Sequence, residues 1–411
     1  MKKLYRGKIL NPISASECEF FADGGILIDE NGRIESYGKF EKLNKGEDIE
    51  VQDFSGDLII PAFSDVHTHL PQYDVRGKFS GNDLLPWLRN YIWPEEIKFA
   101  SSDYAKKVAR RFFDDLIQHG TLNAGIFGTI HVNAVREMFN ECNIRAIIGK
   151  VMMDQNSPAE LTENTQDSLE GVDDLCEEFG QKHAITPRFA MTCSNELMCG
   201  GASLANKYGA MIQTHLSENY EVIDMTSKLF PNAENYTDVY LKAGLLGPKT
   251  IVAHAIYCSD EEFDVLKKTG TKIAHCPTSN IALNSGRMPV EKVFNKGIEF
   301  ALATDVGAGP KTSMLDVMRG FLEAHAGIDA CEYVVNEVSA LYYATLAGAK
   351  ILGFGAETGN FKEGKSADFL VLKTNFKSAK PKEIIHNLCY DTDYSSVVQK
   401  TVFSGKVIYE G

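Results

Sequence analysis

The chain has 411 residues, 44% of them hydrophobic, which is enough for a large core and exceeds the usual single-domain length, so one large domain with a smaller one is expected. Its 42 Lys and Arg against 56 Asp and Glu give a formal net charge of −14, and with no Lys/Arg-rich run this argues against nucleic acid or an anionic membrane as partner. The nine cysteines are scattered, odd in number and never spaced C-x-x-C, and no apolar run is long enough for a membrane span, so a soluble, cytoplasmic protein is expected.

Residues 1–57 read as short β-segments: Leu4 to Ile13, Gly25 to Ile28 and Arg33 to Tyr37, punctuated by Asp23-Gly24 and Asn31-Gly32. Asn-Gly between two alternating runs is a strong hairpin signal. From 58 onward short apolar runs alternate with longer amphipathic stretches. Strands are predicted at Leu58–Val66, Thr121–Phe127, Ile144–Met152, Ile185–Phe189, Met211–His215, Thr250–Ala253, Lys272–His275 and Glu299–Thr304, with helical patterns such as Tyr104–Gln118 and Glu261–Lys268 between them. Eight β-runs with intervening helices are what an α/β fold of the (β/α)8 TIM-like barrel type requires. A doubly wound open sheet competes, but the G-x-G-x-x-G turn of its dinucleotide-binding form is missing. The chain ends in two more β-rich stretches, Ala367–Leu372 and Val397–Ile408. Residues 1–60 plus 357–411 are therefore expected to form a small β-sandwich domain built from both chain termini, and 61–356 the barrel.

The first barrel run, Pro61-Ala62-Phe63-Ser64-Asp65-Val66-His67-Thr68-His69, ends in two histidines one residue apart. Alternate residues of a strand share a face, so His67 and His69 stand side by side, about 6–7 Å apart along it. Barrel enzymes carry their reacting groups at the C-terminal ends of strands. The polar residues at those ends are His67 and His69, Asp154, Arg188, His215, His254, His275 and Asp305; the remaining histidines, His119, His131, His183, His325 and His386, fall elsewhere. For His275 a structural role weighs as much as a functional one.

Three imidazoles and one carboxylate, His67, His69, His215 and Asp305, suit a borderline divalent metal such as Zn2+, or Fe2+ in the same geometry. Such an ion brings the pKa of bound water down to about 7. Glu218, three residues after His215, is placed to serve as general acid/base, against the alternative of a first-turn helix carboxylate. No H-E-x-x-H, no H-x-E with a later P-C-x-x-C and no G-x-S-x-G occurs, which sets aside metalloprotease, cytidine-deaminase and serine-hydrolase patterns.

On these residues the chain resembles the amidohydrolase superfamily, with H-x-H after strand one, histidines after strands five and six and an aspartate after strand eight. Within it, the chain is similar to the guanine deaminase family. The strings that carry the likeness run in family order: His67-Thr68-His69-Leu70-Pro71-Gln72-Tyr73, Trp93-Pro94-Glu95-Glu96, Gly149-Lys150-Val151-Met152-Met153-Asp154, Thr186-Pro187-Arg188-Phe189, Cys193-Ser194, His215-Leu216-Ser217-Glu218-Asn219, His275-Cys276-Pro277-Thr278-Ser279-Asn280, Ser285-Gly286 and Thr304-Asp305-Val306-Gly307.

The resemblance implies one zinc ion on His67, His69, His215 and Asp305, with Gln72, Arg188, Phe189 and His254 binding a purine and Glu218, His254 and Asp305 serving the chemistry. It further implies hydrolysis of guanine to xanthine and ammonia by a homodimer. The residue chemistry agrees, because Gln72 offers donor and acceptor to a base edge, Arg188 a fork of donors and Phe189 an apolar face. Trp87 and Trp93, with Leu84, are placed either to wall the pocket or to pack as core. Ala62 and Ala308 stand where the family usually has glycine, replacements tolerated unless a positive φ is needed. Lys150 raises the binuclear alternative, in which a carboxylated lysine bridges two metals, but the likeness favours one metal. The rivals are a mononuclear amidohydrolase acting on a triazine, pterin or adenosine-type nucleoside, and a metal-free scaffold.

Overall fold

Alternating residues at the N-terminus form β1 (Lys2–Pro12), β2 (Cys18–Ile28) and β3 (Ile34–Lys39), an antiparallel meander in the computed structural model, which describes residues 1–43, 46, 48–79, 83–374 and 378–411. The Asn31-Gly32 hairpin is real: Asp29 Oδ1 accepts from the N–H groups of Asn31 and Arg33, and Gly32 turns the chain at φ +77°. A side chain there is excluded, since a Cβ would stand 1.9 Å from the Ser404 carbonyl oxygen. β4 (Ile49–Pro61) runs parallel to β1 and antiparallel to β13 (Phe369–Leu372), which continues through β14 (Val398–Phe403) to β15 (Lys406–Glu410). Both ends of the chain thus share one seven-stranded sheet, ordered β15-β14-β13-β4-β1-β2-β3. Tyr5, Ile9, Ile26, Ile59, Phe369 and Val402 are among the fully buried residues of its core.

The second sheet has eight strands in chain order, β5 (Phe63–His69), β6 (Thr121–Phe127), β7 (Arg145–Met152), β8 (His183–Pro187), β9 (Ile212–Leu216), β10 (Thr250–His254), β11 (Lys272–His275) and β12 (Phe300–Leu302). Neighbours pair in parallel from β7 through β12, except that only one β8–β9 pair is regular. Every residue of β5 and β6 is buried, as befits strands covered on both faces. The ring closes after β12, where Asp305 N–H donates to the His67 carbonyl at 2.9 Å and His69 N–H to the Val306 carbonyl at 2.7 Å. Helices such as Ser102–Gln118, Thr165–Phe179, Asn195–Tyr208 and Asp260–Thr269 connect the strands. This is the predicted (β/α)8 barrel, and the termini, expected to form a small β-sandwich, build one seven-stranded sheet.

The run Leu58–Val66, expected as one strand, is divided. Leu58–Pro61 completes β4, and β5 begins at Phe63. Pro61 has no N–H to donate, and the Ala62 N–H is taken by the Asp368 carbonyl, so the chain changes sheets at this point. β8 starts and ends two residues earlier than expected, which leaves Arg188 and Phe189 just beyond the strand. The chain divides into two compact units, 1–65 with 114–123 and 312–411, and 66–113 with 124–311.

Candidate metal centre and its cavity

His67 and His69 end β5, His215 lies in β9, and Asp305 follows β12, all within the second unit. The ring nitrogens converge: His69 Nε2 is 3.2 Å from His67 Nε2 and 3.3 Å from His215 Nε2, while Asp305 Oδ1 is 3.3 Å from His67 Nε2 and 3.1 Å from His69 Nε2. One donor atom from each of the four residues lies within 4.8 Å of every other. Phe127 closes this cluster from one side, its ring 4.6 Å from His67, 4.7 Å from His69 and 5.0 Å from His215.

The electrostatics of these groups suit a cation site. Burial pushes His67 down, His69 down to about 3 and His215 well below the usual imidazole range, the latter helped by its histidine neighbours. Burial opposes ionisation of Asp305, yet contact with His67 and His69 holds its carboxyl well below the ordinary range. Its Oδ2 also accepts from the Ser279 hydroxyl at 2.5 Å. His215 Nδ1 donates to the Arg188 carbonyl at 2.7 Å, which leaves the Nε2 lone pair facing the cluster. Neutral imidazoles and one carboxylate turned on a common point fit a divalent cation, and a structure without one would leave those lone pairs opposed.

Beside the cluster is a cavity. Gln72, Leu84, Trp87, Arg188, Phe189, Glu218, His254 and Ala308 line it with His69, His215 and Asp305. The structure therefore brings together the expected ligands, base-binding residues and acid/base groups. Trp87 walls the cavity, and its Nε1–H donates to the Lys78 carbonyl at 3.0 Å. Trp93 is buried away from the lining, Asp154 instead accepts from Ser194 and Thr165 between two loops, and His275 packs against Phe300 outside both groups.

Glu218 does not belong to a helix first turn. The following helix, Tyr220–Leu229, is capped by Asn219, whose side chain accepts from Val222 N–H, and Glu218 precedes that cap. Ser217 at φ 47° turns the chain so that the carboxylate enters the cavity. Burial raises its pKa, with the Asp305 charge acting in the same direction and His254, Ser285 and Arg188 opposing. His254 and Asp305 also have positive φ, 72° and 49°, so three strand-end positions around one cavity hold strained backbone. His254 Nδ1–H donates to Asn280 Oδ1 at 2.9 Å, which directs Nε2 toward the cavity.

Ala62 and Ala308 are not among the described non-glycine residues with positive φ, so alanine is unstrained at both. Gly307 and Gly309, which flank Ala308, are the positions with no room: a Cβ would stand 2.7 Å from the Gln72 carbonyl oxygen in the first and 1.7 Å from that of Thr304 in the second. Lys150 turns away from the metal cluster. Its fully buried ammonium pairs with Glu163 at 2.6 Å and donates to the Ser168 hydroxyl at 3.3 Å.

Four residues received no role from the sequence: Glu96, Ser279, Asn280 and Ser285. Glu96 contacts Gln72 and Arg188, and the other three bond Asp305, His254 and Glu218 respectively. All four lie inside motif strings already quoted above. Position in a motif was their only signal, because their partners are distant in the chain.

The sequence matches the amidohydrolase family over residues 58–408. A guanine deaminase of Escherichia coli strain K12 is 34% identical over 97% of this chain and 94% of its own length. One from Dictyostelium discoideum is 32% identical over 98% and 94%. The crystal structure of guanine deaminase from C. acetobutylicum with guanine bound in its active site superposes with a TM-score of 0.93 at 34% identity, covering 100% of both chains.

Proposed function

This chain belongs to the amidohydrolase family, and from that premise we propose that it hydrolyses guanine to xanthine and ammonia. The observation that carries the proposal is the convergence of Gln72, Arg188 and Phe189 with Glu218 and His254 on one cavity beside a four-residue metal-ligand cluster. Guanine deaminases with near-complete coverage support it and do not favour a triazine, pterin or nucleoside substrate. That all four donors are present and converge speaks against a metal-free scaffold.

His67, His69, His215 and Asp305 would hold the ion, with zinc the proposed metal and Fe2+ compatible with the same donors. When bound, it supplies a Lewis acid and brings water acidity into the neutral range. Phe189 provides an apolar face to the purine, Gln72 an amide to its polar edge, and Arg188 donors to its carbonyl and adjacent nitrogen. His254 Nε2 and Asp305 Oδ2, 3.9 Å apart, take up the proton of the water that adds to C2. Glu218 donates to the ring nitrogen next to C2, takes up the remaining proton of the added hydroxyl and passes it to the departing amine, and is then restored by the proton held at His254, whose Nε2 is 3.6 Å from its Oε2. Water enters, ammonia leaves and a carbonyl remains, so atoms and protons balance. The enzyme is further proposed to be a cytoplasmic homodimer, in keeping with nine scattered cysteines that are never spaced C-x-x-C and with the family likeness.

Ammonia release measured alongside metal analysis tests the proposal, with guanine, adenosine derivatives and pterins screened in parallel. Guanine is expected to be consumed and the others spared. Turnover of a pterin or nucleoside without turnover of guanine would reject it.

A further inference from the structure

Behind the cavity wall, the carboxylate of Glu96 joins two residues that face the cavity. Gln72 Nε2 donates to Glu96 Oε1 at 3.0 Å, and Arg188 Nη1 donates to Glu96 Oε2 at 2.5 Å. Glu96 itself does not line the cavity, and it is only 4% exposed. Gln72 and Arg188 are each 2% exposed, so the whole triad is withdrawn from water. Those three side chains come from separate segments, the first after β5, the second in the short helix Trp93–Glu96 and the third after β8.

We propose that Glu96 is the positioning residue that sets base recognition, by fixing the polarity of the Gln72 amide and the direction of the Arg188 guanidinium. A glutamine amide has two orientations of similar shape that exchange donor for acceptor. Here the carboxylate can only accept, so it holds Nε2 on its own side, while Gly307 N–H donates to Gln72 Oε1 at 3.2 Å on the other. The amide is clamped from both ends. Arg188 is likewise held by its counter-charge, which leaves its other N–H groups to point into the cavity it lines. A neutral residue in place of Glu96 frees the amide to invert and leaves a buried cation without its partner.

The same loop residue ties recognition to the metal cluster. The Arg188 carbonyl accepts from His215 Nδ1, so the backbone of the residue that Glu96 steers also orients one of the proposed ligands. Glu95, its neighbour in the chain, does something different: it pairs with Lys98 at 2.6 Å and accepts from the Tyr104 hydroxyl, with no link to Gln72 or Arg188 among the described residues. Of the two adjacent glutamates, only Glu96 faces the recognition pair.

This inference deepens the proposed guanine hydrolysis and rests on it. The test compares wild type, Glu96→Gln and Glu96→Asp in steady-state guanine deamination, with metal content and thermal melting as controls. Loss of one charge-assisted hydrogen bond corresponds to about tenfold or more in affinity, so Glu96→Gln is expected to raise KM for guanine by at least that factor. Its kcat and metal content should stay close to wild type, because His215 is held by the Arg188 backbone carbonyl rather than by the side chain that Glu96 contacts, and Glu218 is untouched. Glu96→Asp keeps the charge and should recover part of the lost KM, which also covers the case in which Glu96→Gln does not fold. Competitive inhibition by 2-aminopurine, which lacks the carbonyl, should change less than KM for guanine does. An unchanged KM in Glu96→Gln, or a fall in kcat alone, overturns the inference while guanine hydrolysis by wild type stands. Wild-type protein that turns over no guanine overturns the proposed function and this inference with it.

Discussion

His254 Nε2 stands 3.6 Å from Glu218 Oε2, with both side chains buried at the cavity wall. Each is anchored from behind, His254 by Asn280 and Glu218 by the Ser285 hydroxyl, which donates at 3.0 Å. An imidazole and a carboxyl group held side by side at one cavity wall are placed to exchange protons with a molecule in that cavity without first reorganising.

Glu218→Gln should therefore stop most turnover and leave the metal cluster intact, since Glu218 is not one of the four converging donors. A general acid/base of this kind is worth about 10²–10⁴-fold in rate. Ammonia release and metal content, measured on the same preparation, check both halves. Near-normal kcat would remove Glu218 from the chemistry.

Stripping the ion with a chelator should abolish guanine hydrolysis and lower the thermal midpoint together. Returning zinc at a free concentration of about 100 times its Kd should raise the unfolding free energy by about 2.7 kcal/mol, as expected of a ligand that binds only the folded chain. Calorimetric melts across a zinc titration read this directly. A midpoint insensitive to the ion would show that the cluster does not hold it.

Removing the carboxylate opposite Lys150 should damage stability without touching metal stoichiometry. Burial pushes the Lys150 ammonium down in pKa, and the Glu163 charge is what opposes that. Glu163→Gln strips a fully buried cation of its partner, a change worth about 3–5 kcal/mol. Urea unfolding with metal analysis separates this structural pair from a bridging lysine, which would lose metal when disturbed.

His183 should make the fold sensitive to mild acid. Its Nε2 accepts from Lys150 N–H at 3.1 Å, and burial pushes its pKa from 6.5 down to about 3. Above pH 6.5 the ring is neutral whether folded or unfolded, so it contributes no pH dependence there. Below that, only the unfolded chain takes up the proton, and stability falls with falling pH by up to about 1.4 kcal/mol per unit. Unfolding free energies of wild type and His183→Gln, compared at pH 7.5 and 5.5, should converge by about that amount. A gap that stays constant between the two pH values would exclude it.

Much of the barrel was legible because strand and helix periodicities are local. His67 and His69 had to share a face once β5 formed, although only Phe63 and Val66 of its seven buried residues are apolar. The change of sheet at Pro61-Ala62 was less visible. One apolar run serves two sheets there, and only the pairing of Ala62 N–H with Asp368, far along the chain, shows where it divides.

By itself, then, the sequence determined the order of the strands, the residue types at their ends and the chemistry those types allow. Tertiary structure decided which of them meet. It set Glu96 against Gln72 and Arg188, 24 and 92 residues away, and turned Lys150 toward Glu163 instead of the metal cluster. Backbone periodicity fixes the face a strand residue shows, whereas the direction of a loop side chain depends on partners brought near only when the barrel closes.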